Sequence, residues 1–409
     1  MRILWFSVTP SLFNPHTNAH NGGGWIASLE QIVRKVSDIQ LGVAFEFADS
    51  QFRYDNDGVI YYPIQPQKQS RLQRWIHRNN VQEQLAAYLR IIDDFKPDLI
   101  QIFGSENDFG LICKATQVPV VIHMQGCLPP YHNALFPVAM NDYDFIFSRG
   151  LSWRRRLMGL RSESSFRQRA EKEIKTIQSC SYFMGRTDWD RNMVNLFHPR
   201  AAYFHCEEAL RDSFFNNGKV WQPSNSTKAI IVSVISNPWY KGQDLILKTA
   251  QLLKRFTQLY FEWRVYGIQD IRFYESKYHI KAKDVNVRIM GTASKDELVD
   301  ALCAATCYVH SSYIDNSPNS LCEAQLLGVP VLATHVGGIS SLVIDGETGL
   351  LFPANAPYTL ASLIQKLSQD KALCIQLSQK AREQALARHN PDAIRTRIID
   401  VYRQILNKR

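Results

Sequence analysis

Two carboxylates eight positions apart, Asp315 and Glu323, lie in the run YIDNSPNSLCEAQLLGVPV. Between them, Ser317-Pro318 has the pattern of a helix N-cap followed by proline at the first helical position. Asp315 then falls in a loop and Glu323 about two turns into a helix. On that geometry the N–H groups of Asn319, Ser320 and Leu321 face outward and can hold phosphate. Glu323 sits among Leu321, Ala324, Leu326 and Leu327, where a carboxylate needs a polar partner. Lys241-Gly242 stands just before a helical pattern, where a lysine can reach an anionic leaving group; alone it reads more readily as a surface lysine. Gly22-Gly23-Gly24 precedes another helix, and glycines there let backbone N–H groups approach a phosphate or form a plain turn. His123 ends the strand-like run VPVVIHMQG, where an open parallel sheet binds its ligands; a core histidine is the plainer alternative.

Other patterns carry less. Cys303, Cys307 and His310 have a metal-like spacing but run from a helix into a buried strand and lack an evident fourth ligand. Asp142-Tyr143-Asp144 and Asp188-Trp189-Asp190 both read DxD, a short and common pattern, and neither follows a Gly-rich nucleotide loop. The GxxxxGK[ST] phosphate loop and the GxSxG nucleophile elbow are absent from the sequence.

The elements that would position these residues alternate between strand and helix. Residues 2–8 read as a first buried strand, and Trp25, Ile26, Leu29, Ile32, Val33 and Val36 recur at helical spacing. Further strands are predicted at 99–103, 118–123, 143–147 and 182–185, with a helix striped by Leu85, Tyr88, Leu89, Ile92 and Phe95. Residues 216–228, NNGKVWQPSNSTK, read as a linker. The rhythm restarts with strands at 229–235, 261–267, 285–290, 307–311, 330–333 and 349–352 and a helix at 243–256. This predicts two α/β domains of Rossmann type, 1–215 and 216–390, with the last helix, 391–409, open to either.

Composition fits a chain of this size. It has 409 residues, 45% hydrophobic and 21% charged, which excludes a disordered or collagen-like protein. The net charge is +9, with eight basic and two acidic residues over 149–172. Such an excess invites a polyanion or membrane surface, but no nucleic-acid-binding module is evident. No stretch nears the ~20 apolar residues of a membrane span. The first residues lack a signal peptide's long apolar core, and the eight cysteines form no CxxC pair. A reducing, cytoplasmic setting is the expectation.

Taken together, these motifs resemble the retaining GT-B glycosyltransferases of the group 1 family, glycosyltransferase family 4. The run VSVISNPWYKGQDLILKTAQLL is similar to that family's strand, Lys-Gly loop and helix. The run HSSYIDNSPNSLCEAQLLGVPVLATHVGGISSLVIDGETGLLFP is similar to its signature block, with Asp315 and Glu323 as the acidic-x7-Glu pair. The resemblance implies two Rossmann-like, doubly wound domains facing across a cleft, the first for the acceptor and the second for a nucleotide-sugar donor. It implies that Lys241 neutralises the departing diphosphate, aided by the N–H groups of Asn319, Ser320 and Leu321 and by Gly22, Gly23 and Gly24. Glu323 would bind the ribose, Asp315 the hydroxyls of the transferred sugar, and His123 the donor sugar near the reacting carbon. No metal or other cofactor is implied. The acceptor would be a saccharide or a lipid-linked saccharide, in bacterial surface polysaccharide or glycolipid assembly.

Two positions depart from that pattern. The family usually has an Arg a few residues before the Lys; here Ser236 stands there. The first acidic residue, usually Glu, is Asp315. Arg186 is a candidate to supply the missing cation, and equally to cap a helix or pair with Asp188 or Asp190. A non-catalytic nucleotide-sugar-binding relative and a nucleotide-sugar epimerase are the alternatives to a transferase. Arg71, Arg74 and Trp75, and Trp153 with Arg154, Arg155 and Arg156, combine basic and apolar side chains at helical spacing. Such faces suit an anionic membrane surface, here the inner face of the cytoplasmic membrane, or pack on the core as ordinary helices.

Overall fold

A computed structural model of the chain describes residues 1–13, 24–47, 51–66, 81–141, 143–144 and 153–408, with backbone alone over 153–163. The chain divides into two compact units. The first comprises residues 1–129, 164–211 and 389–409, the second residues 130–163 and 212–388.

The first unit is built on an eight-stranded sheet: β1 (Arg2–Ser7), β2 (Gln40–Glu46), β3 (Tyr54–Asn56), β4 (Val59–Ile64), β5 (Leu99–Phe103), β6 (Val120–His123), β7 (Tyr182–Gly185) and β8 (Ala202–His205). The order is β3-β4-β2-β1-β5-β6-β7-β8, and all neighbours are parallel except β3 with β4. Alternate residues of each strand feed two cores, because side chains in a strand point to opposite faces. Ile3 and Trp5 pack with helix Gly24–Val33 and with Ile394, Ile398 and Tyr402 of the C-terminal helix Pro391–Leu406. Leu4 and Phe6 pack on the other face with Tyr88, Ile91, Ile92 and Phe95 of helix Val81–Phe95. The last helix therefore completes the first unit.

The second unit holds a six-stranded, all-parallel sheet: β9 (Ala229–Val234), β10 (Phe261–Tyr266), β11 (Val287–Gly291), β12 (Cys307–His310), β13 (Val331–Thr334) and β14 (Leu350–Phe352). Its order, β11-β10-β9-β12-β13-β14, is that of a dinucleotide-binding Rossmann sheet. The order reverses between β9 and β12, so the loops after these two strands frame the crevice where such sheets bind ligands.

Three expectations change. Residues 143–147 are not a strand where described: Tyr143 and Asp144 form a helical turn, and Asn141 Oδ1 accepts both their N–H groups. Residues 130–163 group with the second unit. Tyr131 packs on Tyr240, Phe136 packs on Trp239, and Asp144 pairs with Lys277 at 2.5 Å. The third change is at the helix after Asp315, which runs Asn319–Leu327 with Pro318, not Ser317, at the cap. Strands β2, β3, β4 and β8 were not predicted; β4 contains Pro63, which argues against a strand but here lies past the last residue that β3 pairs with.

Candidate active site

The loop after β9 carries Ser236 and Lys241. It closes with Gly242 in the left-handed region, at φ +73°, where a Cβ would lie 2.0 Å from the Ser311 carbonyl oxygen. Only glycine allows this approach, which fixes the loop against the end of β12. Ser311 Oγ donates to the Lys241 carbonyl at 2.9 Å, and the Tyr313 N–H donates to the Tyr240 carbonyl at 2.6 Å.

Lys241 Nζ then reaches Asp315 Oδ2 at 2.6 Å, and His310 Nε2 lies 3.1 Å from the same oxygen. Ser312 Oγ donates to Oδ2 at 3.2 Å, while Tyr131 Oη and the Asn316 N–H donate to Oδ1 at 3.4 and 3.2 Å. Asp315 is 6% exposed. Burial opposes its ionisation, but Lys241 and His310 outweigh burial and hold its carboxyl well below the usual range. The Asp315 backbone is held from the far side by Gly337, where a Cβ would lie 1.9 Å from the Asp315 carbonyl oxygen. The site is thus a fixed anion beside a fixed cation at the carboxyl ends of two adjoining strands.

The helix Asn319–Leu327 begins beside it. The Leu321 N–H donates to the Pro318 carbonyl at 3.0 Å, so it is not available to a phosphate; the expectation for Leu321 is corrected, because the first turn closes with this bond back three residues. Asn319 and Ser320 occupy the first turn, whose N–H groups have no partner within the helix. The Ser320 hydroxyl is already engaged, accepting from Tyr308 Oη at 2.8 Å. Glu323 is buried in the second turn. Ser236 is exposed, and its carbonyl accepts from Gln243 Nε2 at 3.3 Å.

In the first unit, His123 ends β6 and is fully buried. Trp25 meets its ring edge-on at 5.0 Å, and Phe103 stacks at 5.9 Å. Burial and the nearby Arg186 push its imidazole down to about 3, so it is neutral. Arg186 is 3% exposed. Its Nη2 donates to the Gln125 carbonyl at 2.9 Å, its Nε lies 3.9 Å from Glu208 Oε2, and the guanidinium stands 5.1 Å from the Trp25 ring. Asp190 accepts the Arg186 backbone N–H at 2.8 Å. Gly24 opens helix Gly24–Val33; Gly22 and Gly23 lie outside the described residues, as do Arg71, Arg74 and Trp75. Trp153, Arg154, Arg155 and Arg156 begin a helix, Trp153–Ile177, but their side chains lie outside the described set.

Sequence reasoning missed three groups. His310 was weighed only as a metal ligand, although its place at the end of β12 was a usable signal. Tyr131 is 184 positions from Asp315 and gave none. Glu173 was not singled out: it accepts from Ser105 Oγ and from the Leu128 N–H, and burial, with help from Glu106, pushes its carboxyl up to about 7.

Two parallel, doubly wound sheets with the polar groups at the strand ends define the GT-B class, and solved structures bear this out. Sucrose-phosphate synthase from Thermosynechococcus elongatus superposes with a TM-score of 0.74 at 15% identity over 100% of both chains. The Anabaena protein HepE, in complex with UDP-glucose, does so with 0.66 at 16% identity, over 99% of this chain and 100% of that one. Residues 218–384 match the family model described as glycosyl transferases group 1. D-inositol 3-phosphate glycosyltransferase from Streptomyces bingchenggensis is 33% identical over 120 residues, 29% of this chain and 26% of that protein. The namesake from Corynebacterium aurimucosum is 28% identical over 152 residues, 36% of each. The chain thus spans about a quarter of the length of the first curated relatives it matches. Residues 218–384 are thus similar to group 1 glycosyltransferases, and the structural neighbours show the GT-B fold.

Proposed function

We propose that this protein is a retaining glycosyltransferase that moves a sugar from a nucleoside diphosphate to a hydroxyl acceptor. One observation carries the reading: Lys241 and Asp315 meet at the carboxyl ends of β9 and β12, within the segment that matches the group 1 model. Lys241 neutralises charge that develops on the leaving diphosphate, where a fixed cation lowers the barrier most. The first-turn N–H groups of Asn319 and Ser320 and the Gly22–Gly24 loop share that charge. Glu323 binds the ribose hydroxyls, Asp315 the hydroxyls of the transferred sugar, and His123 the sugar near its reacting carbon. The acceptor hydroxyl attacks from the face the phosphate leaves, and that phosphate takes its proton. No metal is required in this scheme. HepE in complex with UDP-glucose supports a nucleotide sugar as the donor class.

The acceptor in this reading is a saccharide or lipid-linked saccharide in surface polysaccharide or glycolipid assembly, met at the inner face of the cytoplasmic membrane. Among the described residues, no helix is long and apolar enough to cross a membrane. A second reading, a nucleotide-sugar-binding protein without turnover, is favoured by Ser236, which is exposed where the family carries a second diphosphate-binding cation.

The test combines titration with UDP, GDP, ADP and dTDP, in EDTA, with release of the diphosphate from the matching sugars over a panel of saccharide acceptors. Binding of one diphosphate with acceptor-dependent release supports the transferase. Binding without release favours the second reading, and no binding of any diphosphate overturns both.

A further inference from the structure

Gln101 is a polar residue in an apolar layer. It lies on β5 between Leu99 and Phe103, in register with Trp5 of β1 and Val121 of β6, and is fully buried. A primary amide in such a place is costly unless its donors and acceptor are matched. Its partners come from opposite ends of the chain. The Trp5 indole N–H donates to Tyr402 Oη at 3.1 Å, Tyr402 Oη donates to Gln101 Oε1, and Gln101 Nε2 lies 3.3 Å from His123 Nδ1. Trp5, Gln101, His123 and Tyr402 are all 0% exposed.

The direction of this chain of hydrogen bonds is fixed at its far end. An indole nitrogen can only donate, so Tyr402 Oη accepts from Trp5. The Tyr402 proton then needs an acceptor, and among the described residues Gln101 Oε1 is the one it reaches. With the amide oxygen committed to Tyr402, the amide nitrogen faces His123 and donates. Nδ1 must therefore be the bare nitrogen of the imidazole, and the ring proton resides on Nε2. Reversing the amide would leave the buried Tyr402 proton without an acceptor.

We infer that Gln101 and Tyr402 are positioning residues for His123, holding it as the tautomer with the proton on Nε2, so that it meets a substrate as a hydrogen-bond donor and not as a base. Trp25 and Phe103 fix the plane of the ring, and the Tyr402–Gln101 pair fixes its proton. Burial and Arg186 keep the ring neutral, so the donor persists across the physiological range. The C-terminal helix, Pro391–Leu406, thereby sets the chemistry of a residue nearly three hundred positions earlier in the chain. Use of this donor on a sugar rests on the function proposed above; the tautomer itself does not.

The experiment is heteronuclear NMR of the imidazole nitrogens in the full-length protein, with His123 assigned by its loss in His123→Gln. Wild type is expected to show a pyrrole-type Nε2 and a pyridine-type Nδ1. Gln101→Met removes the amide at similar volume, and Tyr402→Phe removes only the hydroxyl that orients it. In either variant the two signals should move toward an averaged, mixed-tautomer position. Thermal unfolding monitors the fold, and Tyr402→Phe carries the test if Gln101→Met does not fold. In parallel, the turnover rate with saturating donor should fall in proportion to the lost Nε2-protonated fraction, about twofold for an even mixture, while affinity for the free nucleoside diphosphate stays unchanged. A proton on Nδ1 in wild type, or unchanged signals in both variants, overturns the assignment. A shifted tautomer with an unchanged turnover rate overturns the positioning role. If wild type turns over none of the nucleotide sugars, the proposed function fails, and the NMR result still decides the tautomer.

Discussion

Lys241 Nζ lies 2.6 Å from Asp315 Oδ2, and neither side chain is more than 17% exposed. The cation assigned to the diphosphate is therefore already half satisfied, by the carboxylate assigned to the sugar. A diphosphate arriving at Lys241 competes with Asp315 for the same ammonium protons. Asp315→Asn keeps the shape and removes the competing charge. It should raise affinity for the free nucleoside diphosphate roughly tenfold, the order of one charge-assisted hydrogen bond, while sugar transfer falls. Lys241→Ala should lower both. Calorimetric titration beside a turnover assay separates the two effects, and weaker diphosphate binding by Asp315→Asn would show that the two groups do not compete.

Gly242 tests whether the placement of Lys241, and not merely its charge, matters. A Cβ there would meet the Ser311 carbonyl oxygen at 2.0 Å, on a backbone at φ +73°. Gly242→Ala should destabilise the protein by about 2 kcal/mol or more, and the loop must move to relieve the clash. Diphosphate affinity should then fall about as far as in Lys241→Ala, although the lysine is present. Thermal unfolding together with titration checks this, and wild-type affinity in Gly242→Ala would contradict it.

Glu173 gives a pH prediction. Its carboxyl is pushed up to about 7, chiefly by burial, whereas in the unfolded chain it ionises near the ordinary value of about 4.3. The folded state thus keeps a proton that the unfolded state releases. Stability contributed by this group is fully present below about pH 4 and is lost as pH rises toward 7. The loss is on the order of 3 kcal/mol at most. Glu173→Gln imitates the protonated acid and can still accept the Leu128 N–H. It should flatten the fall in unfolding temperature between pH 5 and 8; an equal slope in both proteins would rule out Glu173 as its source.

Much of this arrangement is legible in the sequence, for identifiable reasons. The strands of the second sheet include short, nearly continuous apolar runs such as AIIVSV and VLAT, which a strand buried on both faces requires. Lys241-Gly242 and the Asp315 loop stand out because special residues must follow such strands. Part of what was hidden depends on distance along the chain or on partial exposure. Strand β8 is only half-buried, so it lacks an apolar signature. Tyr131 meets Asp315 across 184 positions, and Ser105 meets Glu173 across 68, so no local spacing encodes either pair. Leu321 failed for a local reason: the first turn closes tightly, its N–H bonding back three residues to the Pro318 carbonyl, which a cap pattern does not encode.

The basic, Trp-bearing segments lead to a test of membrane attachment. Arg154, Arg155 and Arg156 follow Trp153 at the start of a 25-residue helix. In liposome flotation with anionic lipid, wild type should float, and the triple Arg→Glu variant should stay in the soluble fraction, more so as salt is lowered for wild type. Equal recovery of both proteins in the soluble fraction would remove the membrane from the proposal while leaving the transferase site untouched.

Tyr131 bears on the choice of sugar. Its hydroxyl donates to Asp315 Oδ1 at 3.4 Å while its ring stands edge-on to Tyr240 at 5.1 Å. Asp315 is one methylene shorter than the Glu usual at that place, and the phenol adds a second polar group beside its carboxylate. Under the proposed function, a sugar hydroxyl held by Asp315 would lie within reach of Tyr131 as well. Tyr131→Phe keeps the aromatic contact and deletes the hydroxyl. It should leave affinity for the free nucleoside diphosphate unchanged, because Lys241 and the helix Asn319–Leu327 are untouched. It should weaken binding of the intact nucleotide sugar about fivefold to tenfold, the worth of one hydrogen bond between neutral groups, and change the ranking among sugars on the same nucleotide. Competition titration with the diphosphate and with two epimeric sugars bearing it measures all three quantities. An unchanged ranking would assign Tyr131 to packing on Tyr240 alone and leave the recognition of the sugar to Asp315.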